Sequence, residues 1–92
     1  MHIEWDEAKN RANQRKHCVA FETAELVFLD PFALHWQDRY VEDEERWQTI
    51  GEVQGRVLVV AHTWLADDHI RIISARKATP QERKRYHAHR PS

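Results

Sequence analysis

The residues best suited to phosphate chemistry stand at the end of one short stretch, Arg71–Tyr86, which reads RIISARKATPQERKRY. Its isoleucines give way to Arg76, Lys77, Arg83, Lys84 and Arg85 before the phenol of Tyr86. A guanidinium that ends a half-buried strand can grip phosphate, because its planar fork makes two charge-assisted hydrogen bonds at once. The plainer use of Arg76 is an ion pair with the acidic 38–45 segment. Tyr86 could stack on a base, move a proton through its hydroxyl, or pin a helix to a sheet. His17 follows Arg15 and Lys16 at an expected helix end. There the last carbonyls favour its imidazolium while the cations beside it oppose it, so it is either a proton-transfer group or a structural cap.

Other chemistries lack their residues. Among the seven histidines, His87 and His89 alternate on an expected helix and point apart, and His62 falls inside an expected strand. No HExxH or clustered His/Asp set is present, so the spacing predicts no metal centre and no cofactor. The single cysteine, Cys18, excludes an internal disulfide and a CxxC knuckle, which suits a reducing compartment. No GxxxxGK, GxGxxG or GxSxG sequence occurs, which removes a phosphate loop and a nucleophile elbow.

The net charge of -1 conceals a strong asymmetry. Residues 21–45 carry Glu22, Glu25, Asp30, Asp38, Glu42, Asp43, Glu44 and Glu45 against Arg39. Residues 70–92 carry Arg71, Arg76, Lys77, Arg83, Lys84, Arg85 and Arg90 against Glu82. Such a distribution points to a polyanionic ligand or a charged partner, or else to two solvated faces of opposite sign. A chain of 92 residues makes one domain, spanning 1–92, and a hydrophobic fraction of 41% suffices for one small core. The longest apolar run, Val57–Ala61, is far short of a membrane span, and Met1 is followed by His2, Glu4 and Asp6 rather than a basic leader. The expectation is a cytoplasmic protein with no membrane contact.

The elements that must position these groups follow from patterning. Ile3–Trp5 is strand-like, and Asp6 can cap a helix from Glu7 to about Lys16 whose apolar stripe is Ala8 and Ala12. Phe21, Ala24, Val27 and Phe28 predict an amphipathic helix stopped at Asp30-Pro31. Four β-rich segments follow, at residues 32–38, 46–53, 56–65 and 70–76. Their connections are the acidic Glu42–Glu45 turn, Gln54-Gly55, and Ala66-Asp67-Asp68, short enough for an antiparallel meander. Strict alternation puts Ile70, Ile72, Ser74 and Arg76 on one face of the last strand. Thr79, Pro80 and Glu82 spell a capping box that opens a basic helix to about His89, with Tyr86 and Ala88 as its only residues to bury. The predicted fold is α+β: an antiparallel sheet of four to five strands, two N-terminal helices and a C-terminal basic helix.

In order, EWDEAKNRANQRKHCVAFETAELVFLDP, ERWQTIGEVQGRVLVVAHT and IRIISARKATPQERKRY resemble the BrnT family, small ribonuclease toxins of type II toxin-antitoxin systems with a RelE-like fold. The resemblance runs over about nine-tenths of the chain, and WDxxKNxxNxxKH and RIISARxATxxERxxY are long, specific patterns. One departure is Cys18, where relatives usually place glycine; in a left-handed conformation cysteine would carry strain there.

The resemblance implies a metal-independent endoribonuclease acting on RNA and inhibiting translation and growth. It also implies neutralisation by an antitoxin with a ribbon-helix-helix domain, a toxin–antitoxin heterotetramer, and operon autorepression in which operator DNA is reached only through the antitoxin. Carried over by motif, Arg76, Tyr86, His17, Arg71 and Arg46 are the catalytic candidates, and Lys9, Lys16, Arg56, Lys77, Arg83 and Lys84 the RNA-binding ones. In this reading Arg76, with Arg71 or Arg46, holds the scissile phosphate, and Tyr86 meets the adjoining base or the leaving oxygen. His17, Tyr86 or a Lys9 of depressed pKa supplies the acid and base. Two rival readings use the same residues: a non-catalytic nucleic-acid-binding regulator, and a structural subunit whose basic face an acidic partner covers.

Overall fold

A computed structural model describes residues 1–41 and 44–90. Its sheet has five strands: β1 (His2–Glu4), β2 (Leu34–Val41), β3 (Glu44–Val53), β4 (Arg56–Ala66) and β5 (His69–Lys77). The order is β1-β5-β4-β3-β2. β2 to β5 form the expected antiparallel meander, but β1 pairs with β5 in parallel, so the sheet is mixed. Only an adjacent hairpin forces antiparallel pairing; β1 and β5 are joined by nearly the whole chain, and their direction is free to be set by packing. The β3–β4 turn has positive φ at both Gln54 and Gly55, the twist-matched geometry of a tight hairpin. Of the acidic turn, Glu44 and Glu45 lie within β3, while Glu42 and Asp43 fall outside the described residues.

Both faces of the sheet are covered, which is why β4 reads as an unbroken apolar run. Leu58 and Val60 point to one face, where Val19, Phe21, Ala24 and Val27 pack on them together with Ile72 and Ala75. Val57 and Val59 point to the other, against Ile50, Ala78 and the ring of Tyr86. The second predicted helix is a short α2 (Phe21–Ala24) running into a 3-10 turn, Glu25–Leu29. That turn lies tightly on β3: a Cβ on Gly51 would come within 2.9 Å of Val27.

Helix α1 (Glu7–His17) starts on the Asp6 cap as expected, but it buries Asn10 and Asn13 rather than Ala8 and Ala12. β1 pairs with β5 only over residues 69–71, which leaves the backbone of Ala75 at a free edge. Asn13 completes it, accepting from Ala75 N at 3.1 Å and donating to Ala75 O at 2.8 Å and to Val19 O at 2.8 Å. Asn10 likewise accepts from Phe21 N, fixing the entry to α2. Cys18 ends α1 in the left-handed region at φ 59, the conformation in which its replacement of the family's usual glycine carries strain.

Helix α3 (Pro80–His89) carries the predicted capping box of Thr79 and Glu82. Ala88 is exposed, and Tyr86 is the helix's one buried side chain. Cations replace the missing apolar face. Arg85 lies over the ring of Trp36 at 5.3 Å, and Arg90 lies over Phe32 at 5.4 Å while pairing with Glu52 at 3.0 Å. Part of the basic tail therefore holds its own helix down.

Candidate active site

Strict alternation fails once in β5, and the failure aims the site. Ser74 is opposite Ala61 whereas Ile72 is opposite His62, so Ile73 has no counterpart on β4. This bulge leaves Ile72 and Ala75 on the same core-facing side and turns Ser74 and Arg76 to the opposite face. The sequence expectation that Ile70, Ile72, Ser74 and Arg76 share a face is thereby corrected.

On that face a row of small or polar residues, Gln48, Ala61 and Ser74, crosses three strands in register. With Val59 they floor a cavity of about 150 Å³ walled by Arg46, Arg76 and Asp38. The small Ala61 and Ser74 leave the depth, and the two guanidiniums supply the charge. The Nε atom of Arg46 is buried without a hydrogen-bond partner among the described residues. Arg76 forks onto Glu82, with Nη1 to Oε1 at 2.7 Å and Nη2 to Oε2 at 3.0 Å. Its carboxylate partner among the described residues is thus Glu82 on α3. The hydrogen bonds from Arg76, assisted by the cap amide of Thr79, hold the Glu82 carboxyl down at about 2. Asp38 is engaged by Gln48 Nε2 at 3.0 Å.

A second depression of about 300 Å³ begins where the first ends, because Ser74 lines both. Lys9, Asn13 and Lys16 recur at helical spacing on one face of α1 and, with His17, wall it over Ile73 and Ser74. Arg56, Lys77 and Arg83 line a third depression beside Gly55 and Ala78. Strand alternation turns Lys77 away from Arg76. Lys84 is exposed on α3.

Two candidates lie elsewhere. Arg71 binds Glu4 at 3.4 Å and lines neither the Arg46–Arg76 cavity nor the α1 depression, so it is not brought beside Arg76. Tyr86 is on the same sheet side as Arg76 but fully buried, and its hydroxyl donates to Asp30. Burial, with the Asp30 carboxylate at its hydroxyl, pushes the phenol up to about 12. Burial acts to raise Asp30, but Tyr86 and the amides of Glu52 and Phe32 outweigh it and hold the carboxyl below its ordinary value. The position of Tyr86 is that of a pin between α3 and the Asp30 corner.

Sequence reasoning missed Ser74, Gln48 and Asn13. Only the pairing register and the bulge give them their places, although the two asparagines at i and i+3 on an otherwise charged helix were a signal that something other than alanine is buried there.

A profile of the ribonuclease toxin BrnT of type II toxin-antitoxin systems matches residues 5–82, a span that contains both cavities joined at Ser74. The chain belongs to the BrnT family. Among solved structures, the BrnT ribonuclease toxin of Brucella abortus superposes with a TM-score of 0.64 at 28% identity, covering 86% of this chain and 97% of that one. Comparison with curated protein sequences gives no match. Membership of a type II toxin-antitoxin family implies a cognate antitoxin. Tyr86 lies beyond the stretch that matches the BrnT profile, whereas Arg46, Arg76, Lys9, Lys16 and His17 lie within it. No helix among the described residues is long and apolar enough to cross a membrane.

Proposed function

We propose that this BrnT toxin cleaves RNA without a metal ion, at the cavity walled by Arg46 and Arg76. The observation that carries the reading is Ser74, a single residue bordering both the two-arginine cavity and the Lys9–Lys16–His17 depression. A ribose-phosphate strand laid across Ser74 meets guanidiniums on one side and α1 cations on the other. Metal-free cleavage needs the 2′-hydroxyl deprotonated, the phosphorane charge stabilised and the 5′-oxygen protonated. Arg46 and Arg76 supply the stabilisation, and the Nε of Arg46, buried and without a partner among the described residues, is a donor already desolvated. His17 is the candidate for proton transfer, Lys9 and Lys16 bind flanking phosphates, and Arg56, Lys77, Arg83 and Lys84 extend the contact along the strand. Tyr86 is a positioning residue, and Arg71 is outside the site. A RelE-like ancestry, a ribbon-helix-helix antitoxin, a heterotetrameric complex and autorepression through it complete the reading.

The test is incubation of purified, antitoxin-free protein with total RNA in excess chelator. Cleavage is expected to persist, and Arg46→Ala and Arg76→Ala are each expected to lower it by about 100-fold or more with circular dichroism unchanged. RNA that is bound but never cut would instead establish the non-catalytic regulator.

A further inference from the structure

The parallel pairing of β1 with β5 assembles a group of side chains that no spacing in the sequence announces. His2 is in register with His69, and Glu4 with Arg71. Residues i and i+2 of a strand face one side, so His2, Glu4 and His69 converge on one face of this two-stranded ribbon. Nε2 of His69 meets Oε1 of Glu4 at 2.5 Å, 65 residues away in sequence. The rings of His2 and His69 meet edge to face with centroids 4.4 Å apart. One ligand-capable atom from each of the three residues lies within 4.8 Å of the other two. Arg71 bonds the opposite oxygen of the carboxylate, Oε2, and so orients Glu4 while leaving Oε1 toward the histidines.

We propose that His2, Glu4 and His69 bind a divalent first-row transition metal, Zn²⁺ foremost, as a clamp between β1 and β5. Two imidazoles and one carboxylate suit zinc and its neighbours rather than magnesium or calcium, which prefer all-oxygen shells. Zinc bonds of about 2.0–2.1 Å at tetrahedral angles set ligand atoms about 3.3 Å apart. The His69–Glu4 pair needs to open by about 0.8 Å to admit the ion. The exposed His2 is free to turn inward, and the fourth position stays open to water. Arg71 acts as a support for the carboxylate, the usual arrangement behind a metal-bound Glu. The three ligands line neither cavity at Ser74, and His2 and Glu4 precede the stretch that matches the family. The clamp is therefore a device for stability, separate from RNA cleavage. β1 is held to β5 by three register pairs only, and a metal that binds the folded chain alone adds stability to that edge in proportion to its excess over Kd.

The experiment uses the full chain without a polyhistidine tag, titrated with ZnSO₄ by calorimetry and with Co²⁺ by visible absorption. One equivalent of Zn²⁺ is expected to bind, Co²⁺ to give the intense d–d bands of a four-coordinate site, and Tm to rise by about 10 °C or more at a hundredfold excess over Kd. His2→Ala and His69→Ala are each expected to weaken binding at least tenfold and cancel the Tm rise, with Glu4→Gln weakening it likewise. His2→Ala changes one exposed side chain, so loss of binding there reports on the site and not on unfolding. No stoichiometric uptake by the parent protein, or unchanged uptake in either histidine variant, overturns the proposal. RNA cleavage measured on the same samples is expected to be indifferent to Zn²⁺ and to the variants, which separates failure of the clamp from failure of the ribonuclease reading.

Discussion

The carboxylate of Glu82 takes both Nη atoms of Arg76 and, through the same Oε1, the backbone amide of Thr79 that starts α3. One acidic side chain thus sets the position of the foremost phosphate-binding candidate, begins the basic helix, and offsets part of the charge that RNA would meet. Anchoring of this kind gives the guanidinium a fixed direction at the cost of two of its five N–H donors.

Glu82→Gln should loosen that hold. With Arg76 38% exposed, the loss of stability at pH 7 should be about 1 kcal/mol, at the scale of a surface pair. Affinity for an uncleavable 2′-deoxy-substituted oligonucleotide should rise, read by fluorescence anisotropy at low and high salt. The pH dependence has a definite sign. Arg76 depresses the Glu82 carboxyl to about 2, so its contribution is present above the ordinary value of 4.5 and is lost as pH falls from there toward 2. Urea midpoints between pH 5 and 2 should fall less steeply in the variant; equal slopes would show that the pair does not matter to folding.

Tyr86→Phe removes the hydroxyl that reaches Asp30 and keeps the buried ring. As a positioning residue, it should lose about 1–2 kcal/mol of stability and retain cleavage within a few-fold. A loss of 100-fold in single-turnover cleavage by a well-folded variant would return Tyr86 to the chemistry.

Asn13→Ala deletes a side chain that stands in for a neighbouring strand. The amide and carbonyl of Ala75 and the carbonyl of Val19 would be left without their partner. Destabilisation of about 2–4 kcal/mol is expected, as for buried polar groups left unsatisfied. Hydrogen exchange at the Ala75 amide should quicken more than at the β3–β4 ladder. Uniform exchange across the sheet would contradict the edge role.

His62 is buried between Phe28 and Trp64 and bonded to Thr49, which also meets His35. Burial, reinforced by His35, depresses the imidazole to about 4 from 6.5. The unfolded chain then binds the extra proton between those values, so stability is complete above 6.5 and declines as pH falls toward 4. His62→Gln should be flatter across that window in urea titrations at pH 7.5, 5.5 and 4.5. A parent protein equally stable at all three would disprove the assignment.

Much of this architecture is local and so was readable along the chain. Thr79, Pro80 and Glu82 start a helix by bonds that reach only three residues, Asp6 does the same for α1, and Gln54-Gly55 is a connection short enough to make a hairpin of β3 and β4. The charge asymmetry was equally plain, and the two long motifs carried the family. Tertiary structure decided the rest, because it depends on which strand lies beside which. Register and one bulge turned Ser74 and Arg76 toward Arg46, and the depth of the core buried the Tyr86 ring with its hydroxyl on Asp30. A parallel contact between the first and last strands brought His2 and Glu4 to His69. Side chains at a site meet across space through backbone pairings with no fixed sequence separation, so spacing along the chain names the groups available but not the ones that touch.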